Sequence, residues 1–260
     1  MLETGRVAQL FFLIVICAAV VYFVETARRG KLPKLRKVPG LDAVEEAVGR
    51  ATEMAKPVII STGIGGLTDV TAPQTVAGLS MVGYVARLCA RYGAELIAPA
   101  RMPYVIPVET EIIQTAFNEE GKTEEAARAA DMVHYLSDSQ FGYTIAYLGL
   151  LQRRKPAAHI MIGGYWAESL QLAEVGFNVK AIQIAGTANT HQIPFFVAAC
   201  DYSLIGEEIY AAGAYLSKDP VQVGSVAGQD VGKAIALVLI VVGILLTAVG
   251  IPVLTNLLRS

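Results

Sequence analysis

Two long apolar stretches stand at opposite ends of this chain and bracket everything else. The first covers residues 7–24 (VAQLFFLIVICAAVVYFV) and the second residues 234–258 (AIALVLIVVGILLTAVGIPVLTNLL). Each is long enough to cross the hydrocarbon core of a bilayer as one helix, which takes roughly 17–25 residues. The sequence therefore predicts a two-pass hairpin around a water-facing domain. Its parts are an N-terminal anchor over 1–27, a basic linker over 28–40, an α/β domain over 41–230 and a C-terminal anchor over 231–260.

The flanks argue for a retained anchor rather than a cleaved leader. A secretory signal carries its positive charge ahead of the apolar run and small residues after it. Here only Arg6 precedes, and Arg28, Arg29, Lys31, Lys34, Arg36 and Lys37 follow. Cys17 suggests a lipidation site, but Ile16 stands where a small residue would be wanted. Cytoplasmic flanks carry the Lys/Arg excess. The basic run, with Lys233 at the inner edge of the second stretch, predicts a cytoplasmic domain at the inner membrane. Both termini, bearing Arg6 and Arg259, would lie outside. Pro33 and Pro39 interrupt helix in the linker, whose charges suit anionic headgroups.

Charge narrows the partners. Charged residues make up 17% of the chain, hydrophobic ones 54%, and the net charge is -2. Nucleic acid is excluded as a main partner, because phosphate binding needs a basic excess. Cys17, Cys89 and Cys200 lie far apart in apolar surroundings with no CxxC, and read as small buried hydrophobes. No His/Cys cluster has zinc spacing, so no metal is expected. The sequence names no cofactor.

Between the legs, short apolar runs alternate with helical periodicity. Strands are predicted over 57–61, 95–98, 132–136, 159–163, 181–185 and 202–205. Continuous apolar runs of this kind suit parallel strands covered on both faces. Helices are predicted over 41–54, 73–92, 108–118, 123–130, 139–154, 166–175, 189–200 and 207–217. The alternation predicts a Rossmann-like three-layer α/β sandwich with a mostly parallel sheet.

Ligands of such sheets bind beyond the carboxyl ends of the strands, and glycine and polar residues gather there. Ser61, Thr62, Gly63, Gly65, Gly66 and Asp69 follow the first strand, Arg101 the second, Glu168 the fourth, and Asn189, Thr190 and His191 the fifth. The glycines could let backbone N–H groups approach an anion, although they form neither GxGxxG nor a P-loop. The competing reading is a flexible strand-end loop or a subunit contact. Arg101 could clamp a phosphate or carboxylate, or serve a structural ion pair with Asp69 or Glu168. His191 and Glu168 are weak candidates for proton transfer; His134 and His159 fall inside strands and read as packed. Trp166, the lone tryptophan, suits a core or interface more than ligand stacking.

The segments STGIGG, APARMP, GGYWAE and CDYSLIGEEIYAAGAYLS resemble an integral membrane family of bacteria and archaea catalogued as a domain of unknown function. The resemblance covers most of the chain and implies a membrane-anchored domain. It transfers no catalytic residue.

The leading expectation is a non-enzymatic one: a membrane-anchored scaffold or sensor that self-associates, with a ring as one natural outcome, and that binds a small anionic ligand at the strand ends. Small residues in the helices and confinement to a membrane plane favour assembly. The rival is a tethered enzyme acting on a nucleotide-like or other phosphate- or carboxylate-bearing substrate. A channel subunit is disfavoured, because neither apolar run carries a charge at its centre.

Overall fold

In a computed structural model, which describes residues 7–31, 38 and 40–248, contacts divide the chain into two units. Residues 36–217 form one; residues 1–35 and 218–260 form the other. Arg6, Pro33, Lys34, Arg36, Lys37, Pro39 and Arg259, on which part of the linker and orientation reading rests, lie outside the described residues.

The elements run α1 (Val7–Arg28), α2 (Gly40–Glu53), β1 (Val58–Gly63), α3 (Ala72–Tyr92), β2 (Leu96–Ala100), α4 (Ile106–Glu119), α5 (Thr123–Ala126), α6 (Ala129–Met132), β3 (Val133–Tyr135), α7 (Gln140–Arg154), β4 (Ala158–Gly164), α8 (Glu168–Asn178), β5 (Ile182–Thr187), α9 (Ile193–Ala199), β6 (Tyr202–Ile205), α10 (Glu208–Ser217) and α11 (Pro220–Ala248). All six predicted strands form, each within two residues of its expected bounds.

They make one parallel sheet in the order β3-β2-β1-β4-β5-β6. Side chains alternate across its two faces. Val58, Ile60, Ile160, Ile162 and Ile184 pack with α2, α3, α4 and α10. Ile59, Ile97, Met161 and Ala185 pack with α7, α8 and α9. Both faces are covered, which is why the strands read as unbroken apolar runs. The three-layer α/β expectation holds. The chain direction across the sheet reverses between β1 and β4, so the strand ends there form a crevice.

Several helix limits differ from expectation. The helix predicted over 123–130 is two short turns, because the Arg128 N–H bonds back three residues to Glu125 O and tightens the chain. Helix α9 starts at Ile193, because Gln192 N–H closes a turn on Asn189 O. Helix α11 begins at Pro220, well ahead of the apolar run, because helix formation there does not depend on a match to lipid.

The terminal unit is an antiparallel pair. Both helices are long and apolar enough to cross a membrane, with candidate spans at Gln9–Arg28 and Pro220–Ala248. They meet through small residues: a Cβ at Gly224 would stand 2.5 Å from Val24 Cα, and one at Gly228 would stand 2.6 Å from Val20 Cα. Only glycine allows these backbones so close. At Gly232 the nearest atoms are side-chain carbons of Ile16 at 3.7 Å, an ordinary contact. Gly228→Ala should therefore destabilise the helix pair by about 1–3 kcal/mol, while Gly232→Ala should be close to neutral. Thermal unfolding of both variants in mild detergent checks this; equal losses would show that backbone approach does not fix the pair.

Candidate functional site at the strand ends

At the crevice, β1 and β4 approach each other without side chains between them. Their register runs from Val58↔Ala158 to Ser61↔Met161 and then slips, so that Gly63 faces Gly164. Gly63 has φ +83° and Gly163 φ +151°. A Cβ on Gly63 would overlap Gly164 O, and one on Gly163 would overlap Thr62 O. These glycines make room for the opposite strand. A Cβ on Gly78 of α3 would overlap Ile162 O, so the helix too lies hard against the sheet.

The loop after β1 is held by its own residues. Asp69 accepts from Gly66 N (3.0 Å), Thr71 N (2.7 Å) and the Thr71 hydroxyl. The Thr71 hydroxyl bond, outweighing partial desolvation and aided by the backbone bonds and the Arg101 charge, holds the Asp69 carboxyl below its ordinary range. A Cβ on Gly65 would overlap the Thr71 hydroxyl, and one on Gly66 the Tyr104 hydroxyl. Arg101, at the end of β2, donates to Ile64 O (2.8 Å) and Asp138 O (2.9 Å) and so ties two loops together.

Across the crevice, a buried amide links three more segments. Gln74 donates to Asn189 Oδ1 (2.9 Å) and accepts from the Thr187 hydroxyl (3.1 Å) and Ala188 N (2.9 Å). Asn189 donates to Tyr165 O (2.6 Å). Glu168 is buried and accepts from Trp166 N (2.9 Å) and Gln140 Nε2 (2.7 Å). It closes the first turn of α8. Thr190 and His191 are exposed.

Ser61, Thr62, Gly63, Gly65, Gly66, Asp69, Arg101, Asn189 and Glu168 thus gather at one edge of the sheet, with their polar groups or backbone facing protein partners. Apolar side chains project outward from the same edge. Val70 follows β1, Tyr104 β2, Phe141 β3, Trp166 β4 and Phe195 β5; Val70 is 94% exposed and Phe141 79%. A cavity of about 400 Å³ lies away from this edge, near the start of β2, where Phe117, Lys122, Arg128 and His134 line it. Among the described residues, no group of three or more His, Cys, Asp or Glu is placed to hold a metal. Cys17, Cys89 and Cys200 are free thiols, and burial pushes those of Cys89 and Cys200 upward.

A family model matches residues 1–258, which takes in both apolar helices and the whole α/β unit. The chain belongs to the family described as Domain of unknown function (DUF6754). No curated protein and no solved structure matches it.

Two polar features of this DUF6754 chain escape the reading of its sequence. The first is Glu109 on α4, which is fully buried. Its Oε1 accepts from the Thr62 hydroxyl (2.9 Å), while Oε2 has no partner among the described residues. Burial, opposed only by the Thr62 bond, pushes its pKa up to about 7. Its position was detectable: Glu109, Ile113 and Ala116 share the buried stripe of α4. The second lies under the opposite face of the sheet. Gly63 N–H donates to Ser61 Oγ (3.1 Å), Ser61 Oγ and the Tyr143 hydroxyl lie 2.8 Å apart, and Tyr143 donates to Pro99 O (3.4 Å). Tyr165 donates to Ser61 O (3.1 Å). Burial raises the pKa of both tyrosines, which stay protonated donors.

Beneath them, Tyr147 and His159 Nε2 are 3.0 Å apart, and His159 Nδ1 is 3.1 Å from Gln183 Oε1. Gln183 Nε2 donates to two carbonyls, Ala173 O and Ala199 O, so Oε1 must accept. Nδ1 of His159 therefore carries the proton, and Nε2 accepts from Tyr147. Burial lowers its pKa to about 4, so the ring is neutral. His159 is a packed core histidine, as its place in a strand suggests.

Proposed function

We propose that this chain is a membrane-anchored scaffold or sensor whose α/β domain stands in the cytoplasm and associates with further copies of itself. One observation carries the reading. At the edge of the sheet where such folds receive ligands, the side chains expected to hold one are engaged with protein partners, and the outward side chains are Val70, Tyr104, Phe141, Trp166 and Phe195. An outward aromatic and aliphatic edge suits another protein surface better than a small anion. An anion at this edge would draw on Thr190, His191 and loop backbone. Ser61, Thr62, Asp69, Arg101, Asn189 and Glu168 already hold internal partners. The anchor rests on the two apolar helices. The orientation rests on the basic residues that follow α1.

The full chain should stay with membranes through alkaline carbonate and elute from gel filtration in mild detergent as a multimer. Phe141→Asp, at an exposed position, should leave the fold intact and weaken association about tenfold. Protein washed off by carbonate overturns the anchor; a monomer at every concentration overturns self-association.

The strand order supports a second reading, a tethered enzyme for a nucleotide-like or other phosphate- or carboxylate-bearing substrate. The β1/β4 reversal is where sheets of this order take nucleotides. Thermal-shift screening against nucleotides, acyl-CoA and phosphosugars separates the two. A stabilising compound that the protein also converts to product favours the enzyme, one that is bound unchanged favours the sensor, and silence across the panel favours the scaffold.

A further inference from the structure

The helix pair holds a conflict of depth. Val24 lies against Gly224, Val20 against Gly228 and Ile16 against Gly232. The middle of the α1 candidate span, near residues 18 and 19, therefore stands level with Gln229 and Asp230 of α11. Asp230 and Lys233 form an ion pair of 2.6 Å on that stretch, with side chains 61% and 48% exposed. So a charge pair absent from the centre of either apolar run comes level with the centre of one of them.

The boundary of α1 is well marked. Leu13, Ile14, Val21 and Tyr22 are exposed and apolar around it, and Tyr22 and Phe23 give way at once to Glu25, Arg28 and Arg29. Aromatic residues followed by charge mark the edge of the hydrocarbon. Seating α1 this way carries α11 into the bilayer from about Gly224 onward. Ser225, Gln229 and Lys233 are spaced four residues apart, so they line one face of α11, with Asp230 beside Lys233. That face lies across the helix from Gly224 and Gly228, which α1 covers. Lipid tails offer such groups nothing, and polar residues within a membrane turn toward protein or water.

We infer that this polar face of α11 is a subunit contact inside the bilayer, and that its occupant is the same face of a second copy. The inference rests on the anchored, self-associating reading and names the surface through which the copies meet. The chemistry is self-complementary. Each copy brings the ion pair of Asp230 and Lys233 and the Gln229 amide, which both donates and accepts, so two copies face to face can bond amide to amide and set their ion pairs side by side, out of lipid. The outer face of α1 is apolar, with a groove lined by Leu13, Ile14, Cys17, Ala18, Val21 and Tyr22, and is left to lipid.

Cysteine crosslinking of the full chain in its own membranes tests this directly. The native Cys17 is exposed on α1 at nearly the depth of Gln229, and serves as the control. Gln229→Cys with Cys17→Ser should form a disulfide-linked dimer under a membrane-permeant oxidant, whereas the native chain with Cys17 should not. Asp230→Leu with Lys233→Leu should keep the chain in the carbonate-resistant membrane fraction yet shift the detergent-solubilised multimer toward monomer. The contact is overturned if Cys17 crosslinks and Gln229→Cys does not, or if the leucine pair leaves the multimer unchanged. It is also overturned if Gln229→Cys reacts rapidly with a membrane-impermeant maleimide, which would put the face in water. A native chain extracted by carbonate would instead defeat the anchored reading itself.

Discussion

Gly163→Ala is expected to lower the stability of the α/β domain by about 4 kcal/mol. Two costs combine. The backbone at Gly163 has φ +151°, a conformation that strains a residue with a side chain by roughly 1–3 kcal/mol. The added Cβ would also overlap the Thr62 carbonyl group of the neighbouring strand. Backbone within a parallel sheet cannot move aside without breaking its ladder, so this overlap adds an overpacking cost of about 1–3 kcal/mol. Gly63→Ala should behave alike, since its Cβ would overlap Gly164 O. Gly121 provides the comparison: φ is +75°, but nothing stands within 4 Å of its Cβ position. Gly121→Ala should lose only the conformational share, about 1 kcal/mol. Unfolding of the three variants of the full chain in mild detergent would measure the difference. Equal losses would mean that the crossing of β1 and β4 does not dictate these glycines.

The same glycines show how far sequence reasoning reaches. The run STGIGG marks the end of β1 correctly, and its glycines do not follow GxGxxG. What the spacing cannot reveal is that Gly63 answers to Gly164, a hundred residues on in the chain. A phosphate cradle and a close strand crossing require the same residue type. The strands were legible because each is a short β-rich run, and β1, β2, β4 and β5 are buried on both faces. Their order was not, since nothing local says that β1 pairs with β4. Arg101 read as a salt-bridge partner ahead of an anion clamp; in the fold it donates to two backbone carbonyls, which no side-chain pattern encodes. The start of α11 at Pro220 was hidden because hydropathy reports a match to lipid rather than the limits of a helix. Only the antiparallel register sets Asp230 level with the middle of α1.

Glu109→Gln is expected to make the protein more stable at pH 8, by on the order of 3 kcal/mol. In the folded chain burial holds this carboxyl protonated up to about pH 7, against 4.5 for a free side chain. A carboxyl whose pKa is raised by folding contributes fully below its unfolded value. That contribution is lost as pH rises, because the unfolded chain releases the proton first. The gap between variant and native protein should therefore be near zero below pH 4.5, open between pH 4.5 and 7, and stay constant above. Glutamine reproduces the neutral acid: its Oε1 can accept from the Thr62 hydroxyl, and its amide takes the place of the unpartnered Oε2. His159 works in the opposite direction. Burial lowers its pKa to about 4 from 6.5, so its neutral packing costs stability as pH falls from 6.5 to 4. In the native chain the two slopes oppose each other between pH 4.5 and 6.5 and nearly cancel. Removing Glu109 leaves the histidine slope alone, and the stability of the variant should climb through that range where the native curve is flatter. Melting curves of both proteins from pH 4 to 8 would show it. Parallel curves across the whole range would mean that Glu109 is ionised in the folded chain, and that its Oε2 has found a partner within the protein.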